Sequence, residues 1–269
     1  MRAGARWSWR EGGLALVAAA LLAVFVGGVI THVEAPSPPG LLASPATGPV
    51  DAVVRPPVAA DAETTAAGDG AAAAASSSTT AVLAAPRVDP VWLARISTAT
   101  GIPPRALQAY AGAQLTLATQ QPSCGLGWTT VAAIGAIESD HGRHGGAVLG
   151  EDGRSRPAIV GAALDGDGVA AIADTDAGRW DGDTTWDRAV GPMQFIPGTW
   201  ARWGADGDGD GIADPNQIDD AALATARYLC DSAVMTDAAG WRAAVFAYNH
   251  LDVYVDDVAA VANRYAAAR

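Results

Sequence analysis

Glu138 closes an apolar helical run, TVAAIGAIE over residues 130–138, and Ser139, Asp140, His141, Gly142 and Arg143 follow at once. Val131, Ile134 and Glu138 stand at helical spacing, so one carboxylate shares a face with core residues. A carboxylate in that setting needs a partner or keeps its proton. A retained proton near neutral pH is what a general acid requires. The plainer readings are an exposed helix-end glutamate, or one tied to Arg143. Three further groups could do chemistry. Gln194 is the polar residue within AVGPMQFIPGTW over residues 189–200. Its amide offers a donor and an acceptor, suited to an acetamide or hydroxyl, or to the loop's own backbone. Tyr248 and Asn249, with Tyr254 six residues after Tyr248, can hold a polar ligand or close a helix end.

The last group is DGDGDGIAD over residues 206–214. Asp206, Asp208 and Asp210, then Gly211 and Ile212, match positions 1, 3, 5, 6 and 7 of an EF-hand calcium loop. Clustered carboxylates repel unless a cation joins them. Position 12 is Gln217 instead of Glu, and Asp219 and Asp220 could close a longer loop. A solvated acidic turn is the alternative. The pairs Asp165/Asp167, Asp174/Asp176 and Asp181/Asp183 read as solvated turns, and His141 with His144 lacks a zinc pattern.

Helices are expected to position these groups. Asp89 and Pro90 open one helix that stops at Gly101, and Pro103–Pro104 opens a second that ends before Pro122. The Glu138 helix starts at Thr129 or Thr130 and stops by Gly142. Further helix signals fall at 199–203, 219–230, 241–248 and 253–268. Residues 145–187 are rich in Gly, Asp, Pro and Ala without helical period, and read as a long functional loop. No run of alternating strands is evident, so the expected fold is mainly α. Seven of the 9 tryptophans lie in this part, where core packing is the simpler role for each.

The chain has 269 residues. Residues 1–34 hold three early arginines, then an uncharged stretch with an apolar core over 14–30. That reads as a cytoplasmic stub and membrane anchor, with a cleaved signal segment as the alternative. The remainder is then extracytoplasmic, either anchored or secreted. Residues 35–86 are an Ala/Pro/Ser-rich flexible linker. Residues 87–269 form one folded domain. A net charge of −12 and a pI near 4.5 exclude a nucleic-acid partner. Cys124 and Cys230 are the 2 cysteines. In an exported chain they pair most simply as a disulfide, with two separate buried thiols as the alternative.

Taken together, these motifs resemble the lytic murein transglycosylases, specifically the membrane-bound B type and its actinobacterial relatives. The resemblance spans about residues 90–265. It rests on Ile137-Glu138-Ser139 with Gly142-Arg143, on the residues 191–197 (GPMQFIP), on the acidic loop, and on Tyr248-Asn249 with Tyr254. It implies a lysozyme-like helical domain that cleaves peptidoglycan between N-acetylmuramic acid and N-acetylglucosamine, without hydrolysis, leaving a 1,6-anhydro end. It implies Glu138 as the sole acid/base, and Gln194, Tyr248, Asn249 and Tyr254 as substrate-binding residues. It implies a structural calcium held by Asp206, Asp208, Asp210, the Ile212 carbonyl and Asp220. Two rivals stay open: a hydrolytic muramidase on the same fold, and a non-catalytic, calcium-stabilised peptidoglycan-binding scaffold.

Overall fold

The computed structural model describes residues 87–268; the anchor and linker expectations fall outside them. Among the described residues, seven α-helices and four short strands follow in the order α1 (Pro90–Thr100), α2 (Pro104–Gln120), α3 (Trp128–Ser139), β1 (Val148–Leu149), β2 (Ser155–Arg156), β3 (Val160–Ala163), β4 (Arg188–Val190), α4 (Pro197–Trp203), α5 (Ile218–Ser232), α6 (Ala238–Tyr248) and α7 (Asp252–Ala266). The expected mainly helical fold is what is seen. None of these helices is long and apolar enough to cross a membrane.

Local chemistry sets the helix ends. Asp89 accepts from the Trp92 amide at 2.7 Å, and Pro90 takes the first turn of α1, where its missing N–H costs nothing. Asp237 caps α6 through the Gly240 amide, so α6 starts three residues before the expected Trp241. Gln217 caps α5 with its side-chain oxygen, which accepts from the Asp219 and Asp220 amides. Helix α3 starts at Trp128, earlier than the threonines suggest, where the buried Trp128 N–H, free of any helical partner, donates to Gln114 Oε1 at 2.7 Å.

The core is one cluster built on α2 against α5 and α3 against α7. Helix α3 is buried nearly all round. It comes so close to α2 that a Cβ on Gly135 would lie 2.2 Å from the Tyr110 hydroxyl. Only glycine permits that approach. Trp92, Trp128, Trp200 and Trp241 are core residues, while Trp180, Trp186 and Trp203 are half-buried. Cys124 and Cys230 form a disulfide with a sequence separation of 106. A closed loop of that size is worth about 4.7 kcal/mol in the chain-entropy account.

The reading of residues 145–187 as a loop without strands is corrected. Two antiparallel pairs lie there or at its border, β1 with β2 and β3 with β4, and isolated bridges join Asp165 to Ala171 and Ala173 to Trp186. Strands of two to four residues leave no usable alternation in a Gly/Asp-rich sequence. The acidic pairs do form turns: Asp165, Asp174 and Asp181 each accept from the amide two residues on, at 3.0 Å.

Candidate active site

Glu138 occupies the last turn of α3 and is only 3% exposed. Tyr254, from the first turn of α7, donates its hydroxyl to Glu138 Oε1 at 2.7 Å. Burial pushes the Glu138 carboxyl up to about 7, against the lowering effect of the Tyr254 hydrogen bond. No other carboxylate among the described residues contributes to that shift. Arg143 does not neutralise Glu138; it pairs with Asp140 at 2.9 Å. The side chain therefore holds a proton near neutral pH and can release it, as an acid that later serves as base must.

Beyond Glu138 the chain turns sharply. Asp140 and His141 have φ of 51° and 59°, and Gly142 follows at 80°. His141 is buried between two hydroxyls, Tyr110 at 3.2 Å from Nδ1 and Tyr265 at 3.0 Å from Nε2. Burial lowers its pKa to about 4, so the ring bridges α2, α3 and α7 in its neutral form.

Gln194 sits in a tight loop closed by the Val190↔Phe195 bridge. Its φ is 50°, a left-handed conformation that costs a non-glycine residue about 1 kcal/mol. Its Nε2 donates to the Gly191 carbonyl at 3.0 Å, so the backbone-bonding alternative holds for that end of the amide. The Oε1 end faces Gly161, where an added Cβ would lie 3.2 Å away. Gln194, Phe195, Ile196 and Thr199 line a hollow with Tyr228 and Tyr248. Tyr228 was not singled out in sequence; alone in the middle of α5, it carries no local signal.

Tyr248 reaches the site in a different manner from that expected of a ligand-binding phenol. It is buried, and its hydroxyl donates to the Met193 carbonyl at 2.7 Å. It holds the Gln194 loop and lines the hollow. Asn249 is buried at the C-terminal end of α6, with its backbone N–H donating to the Val245 carbonyl at 3.2 Å.

The acidic loop lies behind the Gln194 loop. Gly191 packs so tightly on the Pro215 carbonyl that a Cβ would lie 2.0 Å from it. Carboxylate oxygens of Asp206, Asp208 and Asp220 lie within 4.8 Å of one another. Oxygens around calcium stand at about 2.3–2.6 Å, so oxygens on opposite sides of an ion are about 5 Å apart and this trio fits one. Asp219 and Asp214 are committed elsewhere, to Arg105 and Arg154. Asp210 accepts from the Ile212 amide at 2.7 Å and lies outside the trio. Both Asp220 oxygens accept backbone amides, from Gly207 at 2.6 Å and Asp214 at 2.9 Å. Burial still pushes Asp220 up to about 6, the environment of a carboxylate that a cation would favour. The absent glutamate at position 12 also has a cause. Gln217 there caps α5 and donates its Nε2 to Asp208 at 2.9 Å.

With this geometry in view, residues 169–258 match the family model described as the transglycosylase SLT domain. The matched residues hold Gln194, the acidic loop, Tyr248, Asn249 and Tyr254; Glu138 lies before them and stands on its geometry. Among solved structures, SltB3 from Pseudomonas aeruginosa in complex with NAG-anhNAM-pentapeptide is similar at 25% identity and a TM-score of 0.28. The similarity covers 54% of this chain and 41% of that one, so the chain spans less than half the length of that protein. No curated protein matches the chain in sequence.

Proposed function

We propose that the folded domain is a peptidoglycan lytic transglycosylase acting in cell-wall remodelling outside the cytoplasm, held at the membrane by residues 1–34. The observation that carries the reading is Glu138: one buried carboxyl, near pKa 7, with a tyrosine hydroxyl as its partner and no second carboxylate acting on it. Ordinary glycosidases use two carboxyl groups, and substrate-assisted enzymes are the exception. Protonated Glu138 gives its proton to the glycosidic oxygen as the bond from C1 of N-acetylmuramic acid breaks. The acetamide oxygen of the same sugar bonds to C1 and carries the positive charge. The Glu138 carboxylate then takes the proton of the 6-hydroxyl. That oxygen bonds to C1, the acetamide leaves, and a 1,6-anhydro ring results. Gln194, Tyr228 and the Tyr248 ring line a small hollow, and in this reading Gln194 meets the glycan. A calcium ion on Asp206, Asp208 and Asp220 would join three carboxylates and fix the loop on which Gly191 rests.

The test is mass analysis of products released from purified peptidoglycan. An anhydro end is lighter by one water than the end a muramidase leaves. Hydrated ends would move the reading to hydrolysis. No cleavage by the wild type would favour the binding scaffold.

A further inference from the structure

Glu138 and Gln194 stand on separate pieces of chain, a helix end and a strained loop, and something must set the gap between them. The residue next to Glu138 makes that connection. Ser139 is 1% exposed, and its hydroxyl donates to the Pro192 carbonyl at 2.6 Å. The same oxygen accepts the Gly142 amide at 2.7 Å. The usual helical acceptor for a serine, the carbonyl four residues back, is 3.4 Å away at Gly135. One proton cannot serve both carbonyls well, and the shorter contact takes it. Pro192 has no N–H, so its carbonyl is the handle by which the loop is held at that residue. Two residues further on, Gln194 is in its left-handed conformation, which persists only when the surroundings fix it.

We infer that Ser139 is a positioning residue: its hydroxyl ties the helix end bearing Glu138 to the Pro192 carbonyl, and so fixes where Gln194 stands relative to the acid. The inference rests on the transglycosylase reading, with Gln194 contacting the glycan. Serine suits the position because it supplies a donor and an acceptor one carbon from the backbone. Alanine removes both, and threonine adds a methyl group where there is no exposed surface.

The experiment is a double-mutant cycle of Ser139→Ala and Gln194→Ala, read as kcat/KM on purified glycan strands. A shift of reacting groups by about 1 Å costs up to about 100-fold. Ser139→Ala is therefore expected to lose about 10- to 100-fold alone and less than about 3-fold when Gln194 is already alanine. The alkaline limb of the pH profile stays where it is, because Ser139 does not touch the Glu138 carboxyl. Losses that multiply in the double variant, or a moved limb, would overturn the inference. If Ser139→Ala does not fold, Ser139→Cys, which keeps the bulk and only a weak donor, takes its place in the same cycle. If the wild type cleaves no glycan, the transglycosylase reading fails by itself. The cycle is then read as the Kd for an N-acetylglucosamine tetramer in the Glu138→Gln background. Independent losses there, or no binding of the tetramer, would overturn the positioning role as well.

Discussion

Carboxylates are used in opposite ways at two places in this molecule. At the end of α3, Glu138 is stripped of water, which favours its neutral form against the opposing pull of one tyrosine hydroxyl. In the loop over 206–220, aspartates crowd together but are wrapped in backbone amides: Asp206 accepts from Gly209 and Gly211, Asp208 from Asp210, and Asp220 from Gly207 and Asp214. Amides favour the charged form but do not outweigh burial and crowding, which raise Asp208 and Asp220, and arginines hold only the outer members, Asp214 and Asp219, so the trio carries charge at neutral pH that nothing in the loop neutralises. The first arrangement stores a proton. The second stores negative charge, which a divalent cation would join. One side-chain type thus becomes an acid or a ligand according to whether its neighbours replace water.

The contrast breaks most sharply at Glu138. Glu138→Gln keeps the volume and the Tyr254 contact but cannot give up a proton. Its expected loss of glycan cleavage is about 10²- to 10⁴-fold, the range for a general acid/base. Asp210→Asn, outside the carboxylate trio, is expected to change cleavage by less than about 3-fold, on the scale of an exposed substitution. Release of soluble fragments from peptidoglycan measures both, and equal losses would erase the distinction.

Stability against pH gives the next effect. Glu138 has a folded pKa near 7, raised from 4.5. The folded state therefore binds the proton more tightly, and stability from this group is complete below about 4.5 and lost as pH rises through 7. A shift of that size corresponds to about 3 kcal/mol. Glu138→Gln is expected to match the wild type at pH 4 and to be more stable by about that amount at pH 8, in urea melts at both. His141 acts the opposite way: its pKa is depressed to about 4, so its share is present above about 6.5 and is lost as pH falls through 4. A wild-type curve that rises from pH 7 to 8 would contradict the Glu138 term.

For the acidic loop the expected effect is on the fold more than on the chemistry. Calcium at 100 times its Kd stabilises the folded state by about 2.7 kcal/mol. For a domain of this size that is a melting shift of about 5–10 °C on chelation. Cleavage well below the melting temperature is expected to fall less steeply. Asp220→Asn is expected to abolish the calcium-dependent part of the shift. An unchanged melting temperature in chelator would leave the loop as a solvated turn.

What could be read from residue order was whatever depends on near neighbours. Glu138 showed itself because eight residues before it are almost all apolar or small. The acidic loop showed itself through its own spacing, and the disulfide because no third cysteine competes. Partners far along the chain could not be read. Nothing local tells that Tyr254 reaches back over 116 residues to Glu138 while Tyr248 turns inward to Met193. Asp187 joins Asp174 and Asp176 in a second acidic group, though by sequence the latter two read only as a solvated turn. Gln217 departs from the calcium pattern for a reason visible only with α5 in place.

The smallest expected effect is the finest test of how Glu138 is tuned. Burial and the Tyr254 hydroxyl act on the same carboxyl in opposite senses. Tyr254→Phe removes the hydroxyl and keeps the ring, so the desolvation stays and the lowering hydrogen bond goes. The Glu138 pKa is then expected to rise by up to about one unit, which is about 1.4 kcal/mol. Because the acid form starts the reaction, the alkaline limb of kcat/KM is expected to move to higher pH by the same amount. The plateau below it falls as the hydroxyl's hold on the carboxyl is lost. A limb that moves to lower pH would mean that the hydroxyl raises the carboxyl pKa. The store of protons would then reside in the pair, and the lone buried carboxyl would not account for the acid.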